Sequence, residues 1–174
     1  MVGAQRGACA TSLSDIWCFF ISYHGRYCMK GHSSLRTGRA SVENQIYLIT
    51  FTTFQRTPIF SEFRSSQTLA KCIQSPGVAK GSEVLCWVIM PDHVHLLLRL
   101  GKGDTLGNFV LRLKSSSTRK LGCSSPIWAR AYHDRAIRRE EDILPAARYI
   151  VANPLRCGLT KKVGDYPYWN SVWL

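Results

Sequence analysis

Apolar positions along the chain switch between a period of two and a helical period, and the switches predict its elements. Gln45–Thr53 is rich in β-branched and aromatic residues and predicts a strand. A turn at Thr57-Pro58 leads into Phe60–Gln74, where Phe63, Leu69, Ala70 and Ile73 form an irregular helical stripe that Ser75-Pro-Gly77 ends. Glu83–Met90 reads as a second strand and Pro91-Asp92 as a turn. His93–Leu100 reads as a third strand, closed by Gly101-Lys-Gly-Asp104. Leu106–Lys120 predicts a helix capped by Asp104 or Thr105, with Leu106, Phe109, Val110 and Leu113 on its apolar face. Ile127–Ile137 predicts a short edge strand or hairpin. A last helix takes Asp142 as its cap and Pro145 in its first turn, runs through Ala146–Asn153 and stops at Pro154. The aromatic, turn-rich tail from Gly158 is expected to pack over the body. This order predicts an α+β chain with a ferredoxin-like βαββα(β) antiparallel sheet, helices on one face, and a further C-terminal helix.

Size and charge refine the picture. A chain of 174 residues with 45% hydrophobic composition supports one domain with a real core. A net charge of +12 and a pI near 9.7 favour a polyanionic partner, nucleic acid ahead of an anionic membrane surface. Seven cysteines in no CxxC or CxxH pattern disfavour a zinc ribbon or disulfide framework and point to a reducing cytoplasm. No apolar run approaches the roughly 20 residues of a membrane span, and Ile16–Ile21 is too short for a secretory core, so no membrane association is expected. Residues 1–28 hold Cys9, Cys18 and Cys28 and only two basic side chains. They read as a leader, disordered or an overextended start, before a domain of residues 29–174.

The chemistry centres on Val88–Leu100. Strand alternation turns His93 and His95 to one face and Val94, Leu96 and Leu98 to the other. The Cα atoms of the two histidines then stand roughly 6–7 Å apart, close enough to share one metal ion. A buried strand with two satisfied polar interruptions is the competing reading. Tyr149 and Asn153, four apart on the last helix, share a side. Two imidazoles and the Asn153 amide make a three-ligand site for one divalent ion, Mg²⁺ or Mn²⁺ first, with imidazole widening the choice to Co²⁺ or Zn²⁺. Such a site can act on a phosphodiester. The basic face Arg112, Lys114, Arg119 and Lys120 is either a solvated surface or a track for phosphates. Trp128, Tyr132 and His133 amid Arg130, Arg135 and Arg138 fit base stacking or ordinary packing. A histidine-triad site would want a third alternating histidine where Leu97 stands. Neither a GK[ST] phosphate loop nor HExxH occurs, and Cys157 has no sign of a paired base.

Five blocks resemble the single-tyrosine HUH transposases, and among them the REP-associated tyrosine transposases of bacteria. They are Gly31–Arg39, Met90-Pro-Asp-His-Val-His-Leu-Leu-Leu, Tyr132–Arg138, Ala147–Leu159 and Val163–Pro167, covering about residues 29 to 174 in the family's order. The resemblance implies a metal-dependent nuclease and strand transferase for single-stranded hairpin DNA. In it His93 and His95 are metal ligands, Asn153 a third ligand, and Tyr149, on a catalytic C-terminal helix, the nucleophile that forms a 5′-phosphotyrosine. It implies His32, Arg36 and Arg39 as contacts to a guide sequence beside the palindrome; the charge pattern itself adds Arg112, Lys114, Arg119, Lys120, Arg135 and Arg138 as candidate DNA contacts. A monomer or a homodimer fits the family. Cys157 and Thr160 stand where alanine and valine are usual, away from this chemistry. Two other readings stay open: an inactive module that only grips structured DNA or RNA, and a metal phosphoesterase using water as nucleophile.

Overall fold

The structure, a computed structural model, describes residues 41–173. Residues 1–28, expected to be a leader, and the guide-contact candidates His32, Arg36 and Arg39 lie outside the described residues. Five strands form one antiparallel sheet: β1 (Ile46–Thr52), β2 (Glu83–Met90), β3 (His93–Arg99), β4 (His133–Ile137) and β5 (Trp169–Ser171). Their order is β4-β1-β3-β2-β5. Helices α1 (Phe63–Ile73), α2 (Pro76–Ala79), α3 (Leu106–Leu121), α4 (Ile143–Val151) and α5 (Asn153–Arg156) complete the body.

The central strand explains its own sequence. β3 lies between β1 and β2, so both rows of its side chains are covered, and His93 through Leu98 are all buried. On one face Val94, Leu96 and Leu98 join Tyr47, Ile49 and Phe51 of β1 and Trp87 and Ile89 of β2. They pack in one cluster with Leu69, Cys72 and Ile73 of α1 and Leu106, Phe109, Val110 and Leu113 of α3. The ferredoxin-like plan with α1 and α3 on one face therefore holds. The C-terminal helix α4 packs on β2, β3 and β5, and the Cys86 thiol donates to the Ala147 carbonyl at 3.7 Å. Cys86 pairs with Leu97 in register, on the row opposite Val94 and Leu96. Helix α4 thus covers the second face.

Local chemistry sets the boundaries. Thr105 caps α3, its hydroxyl accepting from the Asn108 N–H at 3.1 Å, and Gly122 ends it at φ 65°. Gly101 closes β3 because the chain there passes against Gly81; a Cβ would lie 2.4 Å from the Gly81 carbonyl carbon.

Several expectations need correction. The first helix starts at Phe63, after a 3-10 turn at Ile59–Ser61, and Phe63 is exposed instead of lining the stripe. The helix ends at Ile73, just before Ser75-Pro-Gly77 as expected, but Pro76 then opens the short helix α2. Pro154 does not end the last helix: the chain pauses at Ala152 and Pro154 sits in the first turn of α5, where no N–H is needed. The tail adds β5 to the sheet edge.

The basic face of α3 is also revised. The Arg112 guanidinium pairs with both carboxylate oxygens of Asp104, one contact at 3.0 Å, and donates to the Val78 carbonyl at 3.0 Å. Lys114 donates to the carbonyls of Ala129 and Ala131 at 2.8 and 3.2 Å and lies 5.5 Å over the Phe51 ring. These two cations are engaged in contacts within the body. Only Arg119 and Lys120 of that set are exposed.

The Arg112 hydrogen bonds hold the Asp104 carboxyl below its ordinary range, against the upward push of burial. Arg112→Ala is expected to lower stability by about 2–3 kcal/mol, read as a shift in the urea midpoint at unchanged slope. A folded-state pKa below the unfolded one means the pair's contribution is complete above the ordinary carboxylate pKa and is lost as pH falls through the depressed value. The gap between wild type and variant should therefore narrow in acid.

Candidate active site

The sheet register assembles the first half of the site. His93 pairs with Met90 and Thr52, and His95 with Val88 and Thr50, so both imidazoles occupy the face that α4 covers. Both are buried, with ring centroids 4.9 Å apart and planes at 88°.

Each ring is held through its Nδ1. The Asp92 carboxylate takes the His93 Nδ1–H at 2.6 Å, and Thr50 Oγ1 stands 2.8 Å from His95 Nδ1. An ionised carboxylate can only accept, so this contact places a proton on His93 Nδ1. Burial would raise the Asp92 pKa, but the His93 hydrogen bond and the charges on His93 and Arg56 outweigh it and hold it low. His95 is pushed well below its ordinary value by burial first, then by His93 and Arg56. It is therefore neutral at pH 7.

The His95 Nε2 is buried and has no hydrogen-bond partner. An unpaired buried nitrogen costs about 1–3 kcal/mol. A divalent ion would satisfy it, and a ring whose other nitrogen is hydrogen-bonded is the usual metal-ligand arrangement. The histidine pair thus fits a metal. No group of three His, Cys, Asp or Glu among the described residues could hold one, so further ligands would be an amide, water or substrate oxygen.

The second half of the site lies on α4 and α5. Ala147, Ile150 and Val151 are the buried positions of α4, which leaves Tyr149 half-buried on its flank. The Arg156 guanidinium stacks over the Tyr149 ring at 4.9 Å. Asn153 is buried, and its Nδ2 donates to the carbonyls of Tyr149 and Ile150 at 2.9 and 3.2 Å. Its NH₂ group therefore ties the end of α4 to the start of α5, and only its amide oxygen is suited to a cation. The structure joins His93 to His95 and Tyr149 to Asn153, with both pairs on elements of one sheet face.

Other candidates sort by position. Arg135 and Arg138 are exposed at β4 and its end, and with Arg139 and Asp142 line a cavity of about 470 Å³. Arg135 pairs with Leu48 and so shares the histidines' face, whereas Arg119 and Lys120 sit on α3 across the sheet. Burial pushes the Cys86 thiol up to about 12 in spite of a Ser171 hydrogen bond, which removes it as a nucleophile. Tyr166 is likewise pushed up to about 12 by burial and by Tyr168 and Cys157, and its hydroxyl donates to the Ile89 carbonyl at 2.7 Å. Thr50, Asp92, Arg56 and Arg156 were not singled out from the sequence. Asp92 adjoins His93 and could have been read there, but Thr50 becomes visible only through the β1–β3 register.

Residues 41–140, from before β1 to beyond β4, match the family described as Transposase IS200 like. The provisionally named REP-associated tyrosine transposase of Haemophilus influenzae is 32% identical over 128 residues, 64% of this chain and 68% of that one. The REP-associated tyrosine transposase of Escherichia coli is 33% identical over 89 residues, 49% of this chain and 52% of that one. A solved structure of a REP-associated tyrosine transposase bound to a REP hairpin superposes with a TM-score of 0.65 at 25% identity, over 75% of this chain and 79% of the other. The chain therefore belongs to the IS200-like transposases, a family of DNA transposases, and stands with its REP-associated tyrosine members.

Proposed function

We propose that this transposase cleaves and rejoins single-stranded hairpin DNA of the REP type through a 5′-phosphotyrosine on Tyr149, with a divalent metal, Mg²⁺ or Mn²⁺, held by His93 and His95. The observation that carries the reading is the buried, partnerless His95 Nε2 beside His93, on the face that also receives the helix of Tyr149. A relative of this fold is bound to a REP hairpin, which supports the same class of partner here. The metal would polarise the scissile phosphate and neutralise charge that builds on its oxygens. The amide oxygen of Asn153 is the candidate third protein ligand.

The residues' own part is a transesterification. The Tyr149 hydroxyl oxygen bonds to phosphorus as the bond from phosphorus to the 3′-oxygen breaks. The phenolic proton is lost to solvent, and the departing 3′-oxygen takes one up to become a 3′-hydroxyl. The phosphotyrosine keeps a phosphodiester's bond energy, so attack by a 3′-hydroxyl reverses the step and rejoins strands. Arg156, stacked on the Tyr149 ring, places a cation beside the nucleophile. Arg135, exposed on the histidines' face, is a candidate contact to the DNA backbone. DNA as substrate implies action in the bacterial cytoplasm.

With a hairpin oligonucleotide and Mn²⁺, wild type is expected to nick the strand and remain attached to its 5′ end. Tyr149→Phe should lose the adduct and slow cleavage by a factor on the order of 10⁴ or more, with binding retained. Cleavage without an adduct, unaffected by Tyr149→Phe, would instead mean a water nucleophile. Binding with no cleavage by wild type would mean an inactive module.

Thr50→Val removes the partner of His95 Nδ1 while keeping the strand's shape. Calorimetric titration with Mn²⁺ should show affinity reduced about 10–100-fold. An unchanged affinity would remove His95 from the metal site.

A further inference from the structure

We propose that Arg56 and Asp92 are positioning residues that fix His93 in one tautomer and one orientation, and that the turn Thr53–Thr57 exists in its strained form to hold them. The contacts run in series. The Asp92 carboxylate accepts from His93 Nδ1 through Oδ1 at 2.6 Å and from Arg56 Nε through Oδ2 at 2.9 Å. Both carboxylate oxygens are thus engaged from different sides, so the group cannot rotate about its bond without losing one partner.

The backbone around it is pinned as firmly. Thr53 donates to the Asp92 carbonyl twice, from its N–H at 2.9 Å and its hydroxyl at 3.0 Å, and that hydroxyl also lies 2.8 Å from the Thr57 carbonyl. The Phe60 N–H donates to the Pro91 carbonyl at 2.9 Å. The two-residue turn that carries Asp92 is therefore bonded from both ends of the neighbouring 53–60 loop. Within that loop Gln55 and Arg56 both adopt left-handed backbone, with φ of 53° and 57°. Two consecutive non-glycine residues in that region are unfavourable, and such strain persists where surrounding structure over-determines it. Here the strained pair delivers the Arg56 guanidinium to Asp92. Arg56 is half exposed, so simple burial does not account for its conformation.

A proton held on Nδ1 leaves the Nε2 lone pair of His93 as the free one, beside the unpartnered Nε2 of His95. The relay rests on the metal-site reading above only for what those nitrogens then bind.

The test uses the full-length metal-free protein labelled with ¹⁵N at histidine. In wild type, long-range ¹⁵N–¹H spectra should show His93 as the Nδ1–H tautomer. Asp92→Ala should move it toward Nε2–H and reduce Mn²⁺ affinity about 10–100-fold; Arg56→Ala should loosen the same tautomer and reduce affinity less, on the order of threefold, with Arg56→Lys restoring most of it. Arg56 is half exposed, so its variants keep the test valid if Asp92→Ala fails to fold. A His93 tautomer unchanged in every folded variant overturns the relay, whatever the metal does. A tautomer that shifts as stated while wild type binds no Mn²⁺ sustains the relay and defeats the metal reading.

Discussion

One buried nitrogen constrains the centre of this molecule. His95 Nε2 sits buried at the central strand of the sheet without a hydrogen-bond partner. Protonating that ring would bury a charge, and leaving it neutral forfeits a bond. The surroundings resolve the first problem by keeping the ring uncharged and leave the second standing. Everything near it then falls into place as support: Thr50 from the next strand on its Nδ1, His93 at right angles, and Asp92 and Arg56 behind His93. A fold that needed only stability would have placed a leucine there, as it does at Leu97 on the same row.

The two faces of the sheet divide the labour. Helices α1 and α3 meet the apolar rows of the central strands, where Val94 and Leu96 are joined by Phe51, Phe109 and Leu113. Trp128 adds its ring to Phe51 and Phe60 at 4.9 and 5.1 Å, and its indole N–H donates to Ser117 in α3. The opposite face is mixed, carrying Thr50, His93 and His95 beside Val88 and Cys86. Rigidity comes from the first face and the candidate site lies on the second, so an unsatisfied group there need not loosen the body.

Much of this was legible in the residues. Alternation along His93–Leu98 gave the facing of the histidines, the β2–β3 hairpin followed from Pro91-Asp92, and Thr105 signalled the start of α3. What escaped was whatever depends on distant partners. Arg112 looks like any surface cation on a helix until Asp104 and Val78 are brought to it. Three residues of β5 are too few to announce a strand, and they pair only because β2 offers an open edge. Pro154 reads as a terminator, since sequence alone does not show the pause at Ala152 that makes it an acceptable start. Asn153 shows a limit of another kind: spacing placed it near Tyr149, but not that its NH₂ group would be spent on α4 carbonyls.

The two-residue turn at Pro91-Asp92 has a consequence for how such a chain can change over generations. Gaining or losing one residue between Met90 and His93 would exchange the rows of β3, sending both imidazoles into the apolar layer and Val94 and Leu96 out of it. Substitutions can therefore accumulate one at a time across this hairpin, but length changes cannot. Insertions have freer passage in the exposed stretch after Gly122, before Ile127 rejoins the core. In lineages descended from this chain, the spacing around the hairpin should outlast the identity of most residues within it.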